Sequence, residues 1–468
     1  MVLSARLLPS IFPPRPLESA RRELGSSVSE DPLVPQIPAS LPVQTESPSP
    51  GEGPRPHRRR RRRRRRGGGG PGGPGGAGRP PGPNGGGGYA DRAERADEVT
   101  ATGPERPVEG VLYLPPRDNA PGVLVSAKAN YLPSPKDPIV PRDLIAREGL
   151  EAGAFISAFA VDGSRSVVRR VETVEGMDPA AFRQRPAFAD LVSIDPHDRL
   201  KLETEPDEMC GRVTDLLTPI GRGQRCLIVA PPKAGKTTLL KRMAHAVSIN
   251  DPDVYVIVLL IDERPEEITD FRRSVRGEVI ASSADLSAEN HIAVAEIVAE
   301  RARRLVECGK HAIIFLDSIT RMARAYNHMQ KGGGKIMSGG IDARTMEKPR
   351  RFFGAARNAE GGGSLTIIAT ALVDTGSRMD EIIFQEFKGT GNTEIVLDRD
   401  LFNRRIFPCI NIPQSGTRKE EKLYAPDELP RIVKLRRALA AVDKIQAMEL
   451  VLGRLSKFKS NTDFLKSF

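Results

Sequence analysis

Residues 225–238 read Arg-Cys-Leu-Ile-Val-Ala-Pro-Pro-Lys-Ala-Gly-Lys-Thr-Thr, and this stretch decides the fold class of the chain. Residues 225–229 form an apolar run typical of a buried strand, and residues 237–247 have the pattern of a helix. A strand, a glycine-containing loop and a helix in direct succession match the phosphate-binding loop pattern, with Ala230 in place of the first glycine. The chain is therefore predicted to contain an α/β domain that binds a nucleotide.

The residue types in this loop determine its expected chemistry. Gly235 lets the main chain approach the phosphates so that successive N–H groups point at them, and the following helix adds its positive dipole end. Lys236 is expected to reach the β and γ phosphates of ATP, and the hydroxyl of Thr237 is expected to ligate Mg²⁺. Ala234 and Thr238 complete the nucleotide-binding candidates within the motif.

Two acidic residues follow apolar runs further along the chain. Residues 311–316 are an apolar run followed directly by Asp317. A carboxylate at the carboxyl end of a strand is the usual arrangement for holding Mg²⁺. Residues 254–261 lead into Glu263, which is placed to polarise the attacking water as a general base. A surface acid and a capping acid are the structural alternatives. The phosphate-binding loop favours the catalytic roles and hence ATP hydrolysis.

The α/β domain is predicted to cover residues 209–468. Residues 254–261, 311–316 and 364–369 are further predicted strands, and residues 288–306 form a predicted amphipathic helix. This alternation is typical of a parallel sheet with flanking helices. Residues 175–208, which hold four proline-containing turns, are predicted to be a polar connector.

Residues 108–174 have a different rhythm, with a short predicted helix over 142–147. Turn-forming residues separate five short apolar runs, at 110–114, 122–126, 139–140, 154–161 and 167–174. This spacing favours a small β-barrel of the OB type, and a generic β-domain without a ligand is the alternative.

Residues 1–107 contain 18 basic and 11 acidic side chains, 18 glycines and 19 prolines, with Phe12 and Tyr89 as the only aromatic residues. Such a segment cannot bury enough apolar surface to fold, so a disordered tail is expected. Nine consecutive arginines occupy positions 58–66. Such a run favours a nucleic-acid-binding arm over a solvated linker or a sorting signal.

Several classes of protein are excluded by the sequence. No apolar stretch approaches the twenty residues that a membrane helix needs, and Arg6 and Pro9 argue against a signal peptide. The four cysteines (Cys210, Cys226, Cys308 and Cys409) are far apart, without metal-ligand spacing. This pattern argues against structural zinc and disulfides, and it suits a reducing cytoplasm.

Three clusters of glycine and basic residues lie at 331–340, 374–378 and 415–419. Each would be an ordinary solvated loop in a chain without a phosphate-binding loop. In a nucleotide hydrolase they suit contacts to a phosphate backbone and a charge-stabilising arginine.

From residue 211 onward the chain resembles the Rho family of bacterial transcription termination factors, which are hexameric RNA-dependent ATPases. The matching passages read VAPPKAGKT, IDERPEE, LDSITR, RFFGAARN, FKGTGN and SGTRKE, in the family's order. The resemblance implies a RecA-like fold assembled into a ring, with ATP between subunits and helicase-type translocation along RNA. The implied partners are single-stranded RNA and the RNA polymerase transcription complex.

The resemblance also implies roles for individual residues. Lys233, Lys236 and Thr237 would contact phosphate and Mg²⁺, Glu263 would be the catalytic acid, and Asp317 would hold the metal. Arg418 would act on the ATP of the next subunit, with Arg405 as a weaker candidate. Further nucleotide contacts would be Arg264, Gly221, Arg222, Gly223, Gln224, Arg225 and Cys226. RNA contacts in the channel would be Lys335, Ile336, Met337, Ser338, Gly339, Gly340 and Arg378, the last in place of the family's usual lysine.

The first domain departs from the family pattern. Family members stack pyrimidine bases on aromatic residues of two neighbouring strands, whereas this chain has Val123, Val125 and Ile139 there. Stacking contributes about 1–3 kcal/mol per base, so we expect RNA capture to rely on phosphate contacts instead. Three alternatives to the family's function stay open: a rotary ATPase subunit, a RecA-type DNA motor, and an RNA-binding chaperone with a vestigial ATPase.

Overall fold

The computed structural model describes residues 103–117, 120–329 and 344–468. The predicted tail up to residue 102 and the predicted glycine–lysine loop at 331–340 lie outside the described residues. Across the described ranges, no helix combines the length and the apolar character needed to cross a membrane.

A closed five-stranded barrel forms the first described part. It consists of β1 (Glu105–Tyr113), β2 (Gly122–Val125), β3 (Ile139–Val140), helix α1 (Arg142–Glu148), β4 (Phe155–Val161) and β5 (Val167–Val174). The strand order is β1-β2-β3-β5-β4, and β4 pairs back onto β1. The predicted OB-like barrel is thus confirmed, and its first strand begins at Glu105, before residue 108.

The barrel interior follows the period of two that strands impose on their side chains. Ile156, Ala158 and Ala160 in β4 are each at most 1% exposed. Val125 and Ile139 occupy two of the positions where the resemblance would place base-stacking aromatic residues. Both are buried as well. These two strands therefore offer aliphatic packing rather than an exposed aromatic surface.

The connector contains short elements that the sequence did not predict. They are α2 (Pro179–Arg183), β6 (Ser193–Ile194) and β7 (Arg199–Leu200). Strand β6 pairs with residues of the following domain at Asn358 and Ala359, and β7 pairs with Ile220 and Gly221. The connector is therefore fastened to the sheet, since its prolines separate short paired segments instead of preventing structure.

The remaining elements form a sheet flanked by helices. The strands are β8 (Ile220–Gly221), which pairs with β7 outside this sheet, and β9 (Arg225–Ala230), β10 (Val254–Glu263), β11 (Glu278–Ser283), β12 (His311–Asp317), β13 (Arg357–Ala359), β14 (Ser364–Leu372), β15 (Thr393–Val396) and β16 (Gly416–Thr417) within it. The helices are α3 (Met209–Leu217), α4 (Lys236–Asn250), α5 (Pro265–Ser274), α6 (Ala288–Glu307), α7 (Ile319–Met329), α8 (Glu347–Gly354), α9 (Arg378–Lys388), α10 (Arg399–Asn403), α11 (Leu429–Ala440), α12 (Lys444–Leu455) and α13 (Asn461–Lys466).

The sheet order is β11-β10-β12-β14-β9-β15-β16, and all neighbours except the β15–β16 pair are parallel. Because β10, β12 and β14 are buried on both faces, they consist largely of apolar residues, which is why the sequence predicted them. Two large apolar clusters cover the two faces of the sheet. The predicted α/β fold with flanking helices is confirmed.

A polar junction fastens the barrel to the α/β domain. The carboxylate of Glu278 in β11 accepts hydrogen bonds from the hydroxyls of Tyr131 in the barrel and Tyr255 in β10. Beside it, Glu175 at the end of the barrel forms an ion pair with Arg301 of α6, and both side chains are at most 3% exposed. The barrel is therefore held to the sheet by paired buried charges as well as by apolar contact.

Candidate active site

The phosphate-binding loop lies between β9 and α4, as the sequence predicts. Gly235 immediately precedes α4 with a φ of 84°, a left-handed conformation that glycine adopts without strain. Lys233 also has a positive φ, of 61°. The side chains of Lys233 and Thr238 are exposed, whereas Ala234 is buried beneath the loop. The main chain thus curls around an open space at the positive end of α4.

Lys236 lies between the two predicted catalytic carboxylates. Its ammonium is 3.1 Å from Oε1 of Glu263 and 2.5 Å from Oδ1 of Asp317. Both acids are at the carboxyl ends of neighbouring parallel strands, and Asp317 is in register with Leu260 of β10. The structure therefore brings together the loop lysine and both acids, which lie far apart in the sequence.

Burial and charge determine the ionisation of this cluster. Burial raises the pKa of Glu263 above its usual value, the neighbouring Asp317 raises it further, and Lys236 and Arg321 act in the opposite direction. Burial would lower the pKa of Lys236, but the charges of Asp317 and Glu263 outweigh this effect and the pKa lies above its usual value. A lysine that stays charged and a carboxylate with a raised pKa suit phosphate binding and general-base chemistry.

Three further side chains that the sequence analysis missed surround this cluster. Thr370 in β14 donates a hydrogen bond of 2.8 Å to Oδ1 of Asp317, and it is fully buried. Arg321 in α7 approaches Glu263 to 3.5 Å, and Oε2 of Glu267 in α5 lies 3.4 Å from Oγ1 of Thr237. Glu267 and Arg321 belong to quoted motifs, but only the fold shows that they face the site.

The oxygen atoms beside the loop fit a magnesium ion. Oγ1 of Thr237 is 3.3 Å from Oδ2 of Asp317, and the other oxygen of Asp317 is bound by Lys236 and Thr370. In the described part of the chain, no group of three or more acidic, histidine or cysteine side chains could hold a metal ion on its own. Mg²⁺ retains waters and binds through one or two protein groups plus substrate phosphates, so this donor set is what it requires. Bound there, the ion would neutralise charge on the phosphates.

Other predicted nucleotide contacts lie at different places. Arg264 precedes α5, next to Glu263, and its side chain is exposed. The six residues at 221–226 lie at the amino end of β9, whereas the phosphate-binding loop follows its carboxyl end. These ends are separated by about 17 Å at the rise of a parallel strand. Within one chain, the structure does not bring residues 221–226 together with Lys236.

Three predicted arginines, Arg378, Arg405 and Arg418, are exposed. Arg418 follows β16, and its main-chain N–H donates to the carbonyl of Asn392, which precedes β15. Arg405 has a positive φ and contacts the ring of Phe402. Arg378 begins α9 on the carboxyl side of β14. The candidates Lys335, Ile336, Met337, Ser338, Gly339 and Gly340 lie outside the described residues.

Comparisons with known proteins identify what the chain is similar to. Residues 211–417 match the model of the ATP synthase alpha/beta family, nucleotide-binding domain. A transcription termination factor Rho from Aquifex aeolicus is 50% identical over 368 residues, which cover 77% of this chain and 84% of the relative. The Rho protein of Streptomyces lividans is also 50% identical over 77% of this chain, and the match spans about half (51%) of that relative's length.

A solved structure gives the same answer for the fold. An ATPase from the type III secretion system of pathogenic bacteria superposes with a TM-score of 0.51 at 21% identity, covering 59% of this chain and 86% of its own. At this identity the likeness concerns the fold alone.

Proposed function

This chain belongs to the Rho family of transcription termination factors, and from that membership we propose that it is an RNA-dependent ATPase that moves along nascent RNA. Translocation would release the RNA from the transcription complex of RNA polymerase, in the cytoplasm. The observation that carries the proposal is the Lys236–Glu263–Asp317 cluster beside the phosphate-binding loop. It supplies the cation, the base and the metal-site carboxylate that ATP hydrolysis needs.

Each of these residues has a distinct proposed task. Main-chain N–H groups of the loop and Lys236 would bind the phosphates, and Thr237 and Asp317 would hold Mg²⁺. Glu263 accepts a proton from the attacking water, since its carboxylate is buried beside the lysine that marks the phosphate position. Lys236 forms ion pairs with both acids. Bound phosphate would compete for the lysine and release Glu263 toward the water.

Completion of the site requires a second copy of the chain. Arg418 is exposed, and it lies near the amino end of β9, about 17 Å along the strand from the end that carries the loop. It therefore suits contact with the ATP held by a neighbouring subunit, as in an arginine finger. A closed ring, which we propose to be a hexamer, would give each ATP such a neighbour.

RNA would be held at two places in this proposal. The residues at 335–340 and Arg378 would contact the RNA backbone in the central channel and couple it to hydrolysis. Initial capture would depend on phosphate contacts with the arginine run at 58–66, because the barrel strands β2 and β3 bury aliphatic side chains. Selectivity for pyrimidines would then be low.

ATP hydrolysis with and without poly-pyrimidine RNA tests this function. We expect hydrolysis to be slow in the absence of RNA and to rise many-fold at saturating RNA, with the Lys236→Ala variant inactive in both conditions. Single-stranded DNA of the same base composition is the matched control. Equal stimulation by DNA would favour a DNA motor. A hydrolysis rate that neither polymer changes would favour a rotary ATPase subunit. The absence of hydrolysis in every condition would favour an RNA-binding chaperone with a vestigial ATPase.

A further inference from the structure

Glu263 does not face the side of the sheet that the alternation of its own strand predicts. In β10, Leu260 packs in the apolar cluster that contains α4 and α5, whereas Ile261 packs in the cluster that contains α6 and α7. Side chains of a strand alternate between the two faces, so residue 263 of a regular strand would face α6 as Ile261 does. Glu263 instead contacts Lys236, the first residue of α4.

A bulge at Asp262 explains this position. Ile261 pairs with Ser282 of β11, and Glu263 pairs with the very next residue, Ser283, so Asp262 is an extra residue in β10. Its φ is 57°, in the left-handed region that aspartate tolerates better than most residues. One extra residue shifts the alternation by one step and turns Glu263 to the face of α4. The placement of the proposed base therefore depends on this bulge.

His291 of α6 holds the neighbouring strand beside the bulge. Its Nδ1 lies 2.6 Å from Oγ of Ser282, and the two residues are 7% and 0% exposed. Ser282 pairs with Ile261, directly before the bulge. After the bulge, the main-chain N–H of Ala284 donates to the carbonyl of Glu263 at 3.1 Å. The end of β11 is therefore tied to α6 on one side of the bulge and to Glu263 on the other.

The groups around His291 favour its neutral form. Burial lowers the pKa of His291 below its usual value. The charge of Asp262 opposes this shift, that of Arg321 adds to it, and that of Glu289 opposes it. Arg321 lies 3.6 Å from Asp262 and 3.5 Å from Glu263, and it lines one cavity of about 360 Å³ with Asp262 and His291. A neutral imidazole can pair with a hydroxyl without adding charge beside these groups.

We infer that His291 is a positioning residue for Glu263, and that it acts through Ser282 by keeping the bulge at Asp262. A bulge leaves one residue of the strand unpaired, and the left-handed Asp262 is unfavourable by itself, so the surrounding contacts must hold both in place. Without the contact to Ser282, β10 would return toward regular alternation and turn Glu263 away from Lys236. The role of Glu263 rests on the proposed function, whereas the bulge does not.

The first experiment separates nucleotide binding from turnover in two variants of His291. His291→Phe keeps a ring but cannot bond to Ser282, whereas His291→Asn places a polar amide atom near the position of Nδ1. We expect kcat of the phenylalanine variant to fall by about ten- to a hundredfold while nucleotide affinity changes less than about twofold, because only the base is displaced. The asparagine variant should recover most of the activity. Ser282→Ala should match His291→Phe, and the double variant should be no worse, because both changes remove one hydrogen bond.

The matched control is a second histidine–serine pair at the opposite end of the sheet. Nδ1 of His311, the first residue of β12, lies 2.9 Å from Oγ of Ser364, the first residue of β14. His311→Phe removes a hydrogen bond of the same kind far from the bulge. We expect it to leave kcat and nucleotide affinity unchanged.

The second experiment measures the bulge without any activity. Amide hydrogen exchange of the peptide that contains Ala284 reports on its hydrogen bond to the Glu263 carbonyl. We expect faster exchange there in His291→Phe and Ser282→Ala, and exchange as in the unaltered chain in His291→Asn and His311→Phe. Thermal unfolding checks that each variant is folded, and Ser282→Ala, the smaller change, replaces His291→Phe if the latter does not fold.

Three results would overturn the inference. They are unchanged exchange at Ala284, faster exchange with unchanged kcat, and a loss of nucleotide affinity as large as the loss of kcat. The last would indicate a general structural defect and not a displaced base. If the unaltered chain hydrolyses no ATP, the proposed function fails, but exchange at Ala284 still shows whether His291 keeps the bulge.

Discussion

Lys236 and Glu263 are in contact in the structure. Lys236 is proposed to act in nucleotide binding and Glu263 in the chemical step, so their substitutions should have different effects. Lys236→Ala removes a direct phosphate contact, so we expect it to weaken ATP binding by about tenfold or more. Glu263→Gln keeps the shape and alters only the transition-state role, so binding should persist while kcat falls by roughly 10²–10⁴. Nucleotide affinity and single-turnover hydrolysis measure the two effects. An equal loss of affinity in both variants contradicts the role of Glu263 as the base.

The raised pKa of Glu263 predicts a pH dependence. A general base must be ionised, so activity should fall as the pH drops through a pKa that lies above the usual value for glutamate. Arg321 lowers this pKa, and Arg321→Met should therefore raise it and move the acidic limb of the kcat/KM profile to higher pH. The pH profiles of the two proteins test this, with Arg324→Met, on the same helix, as the control. If the acidic limb of the Arg321→Met profile stays in place or moves to lower pH, Arg321 does not lower the pKa of Glu263.

Thr370 offers a test of how Asp317 is oriented. Thr370→Val keeps the shape of the side chain but removes the hydrogen bond to the carboxylate, whereas Thr370→Ser keeps the hydroxyl. We expect the valine variant to need more Mg²⁺ for nucleotide binding, with an affinity loss of up to about tenfold, and the serine variant to recover most of it. Nucleotide binding across a magnesium titration is the measurement. Equal behaviour of both variants would assign Thr370 to packing alone.

The same residues show what the sequence could predict about the site. One contiguous motif predicted Gly235, Lys236 and Thr237. The ends of two apolar runs predicted Glu263 and Asp317. Thr370 lies inside an apolar strand, and only the register of β14 against β12 places it beside Asp317. Contacts of this kind depend on tertiary pairing, which no local pattern contains.

Secondary-structure elements follow the same division between local and tertiary information. The central strands were predicted because burial on both faces makes them continuous apolar runs. Strand β11 was missed, since its sequence Glu-Val-Ile-Ala-Ser-Ser is short and half polar and it lies at one edge of the sheet. Strands β6 and β13 have only two or three residues, and they are strands because of tertiary pairing, of β6 with β13 and of β13 with β14.

Arg418, in the segment after β16, is the residue proposed to act across the contact between subunits. Arg418→Ala should leave ATP binding nearly unchanged and reduce hydrolysis about 10³-fold or more, because the arginine stabilises charge only in the transition state. Mixing this variant with Glu263→Gln chains should restore part of the activity, at interfaces where an intact Glu263 meets an intact Arg418. Arg437→Ala, another exposed arginine, is the control. Mixtures as inactive as both parents would exclude action between subunits.

At the scale of the whole molecule, the basic tail is expected to dominate the capture of RNA. Deletion of residues 1–102 leaves β1 intact and removes the arginine run at 58–66. We expect weaker RNA binding and a flatter dependence on salt, by about 0.7 in log–log slope for each lost phosphate contact. ATPase activity at saturating RNA should largely survive. RNA affinity across a salt series tests this for the full chain, the deletion and a full-length variant with serines at 58–66.

Unchanged slopes in all three proteins would return RNA capture to the barrel. In that case the exposed face of the barrel, where Arg170 covers the ring of Phe159 at 3.6 Å, would be the first surface to alter.

The polarity of β9 has a numerical consequence for assembly. The strand holds the phosphate-binding loop at one end and lies beside Arg418 at the other. In the proposed ring, a single copy would therefore contribute one half to each of two different sites. An open row of n copies would then contain only n − 1 complete sites, because the phosphate-binding loop at one end of the row has no neighbouring Arg418. Closing the row adds the missing site without adding protein. Turnover per chain should therefore rise on closure, from (n − 1)/n of its final value to that value, so activity measured against assembly size distinguishes open rows from closed rings.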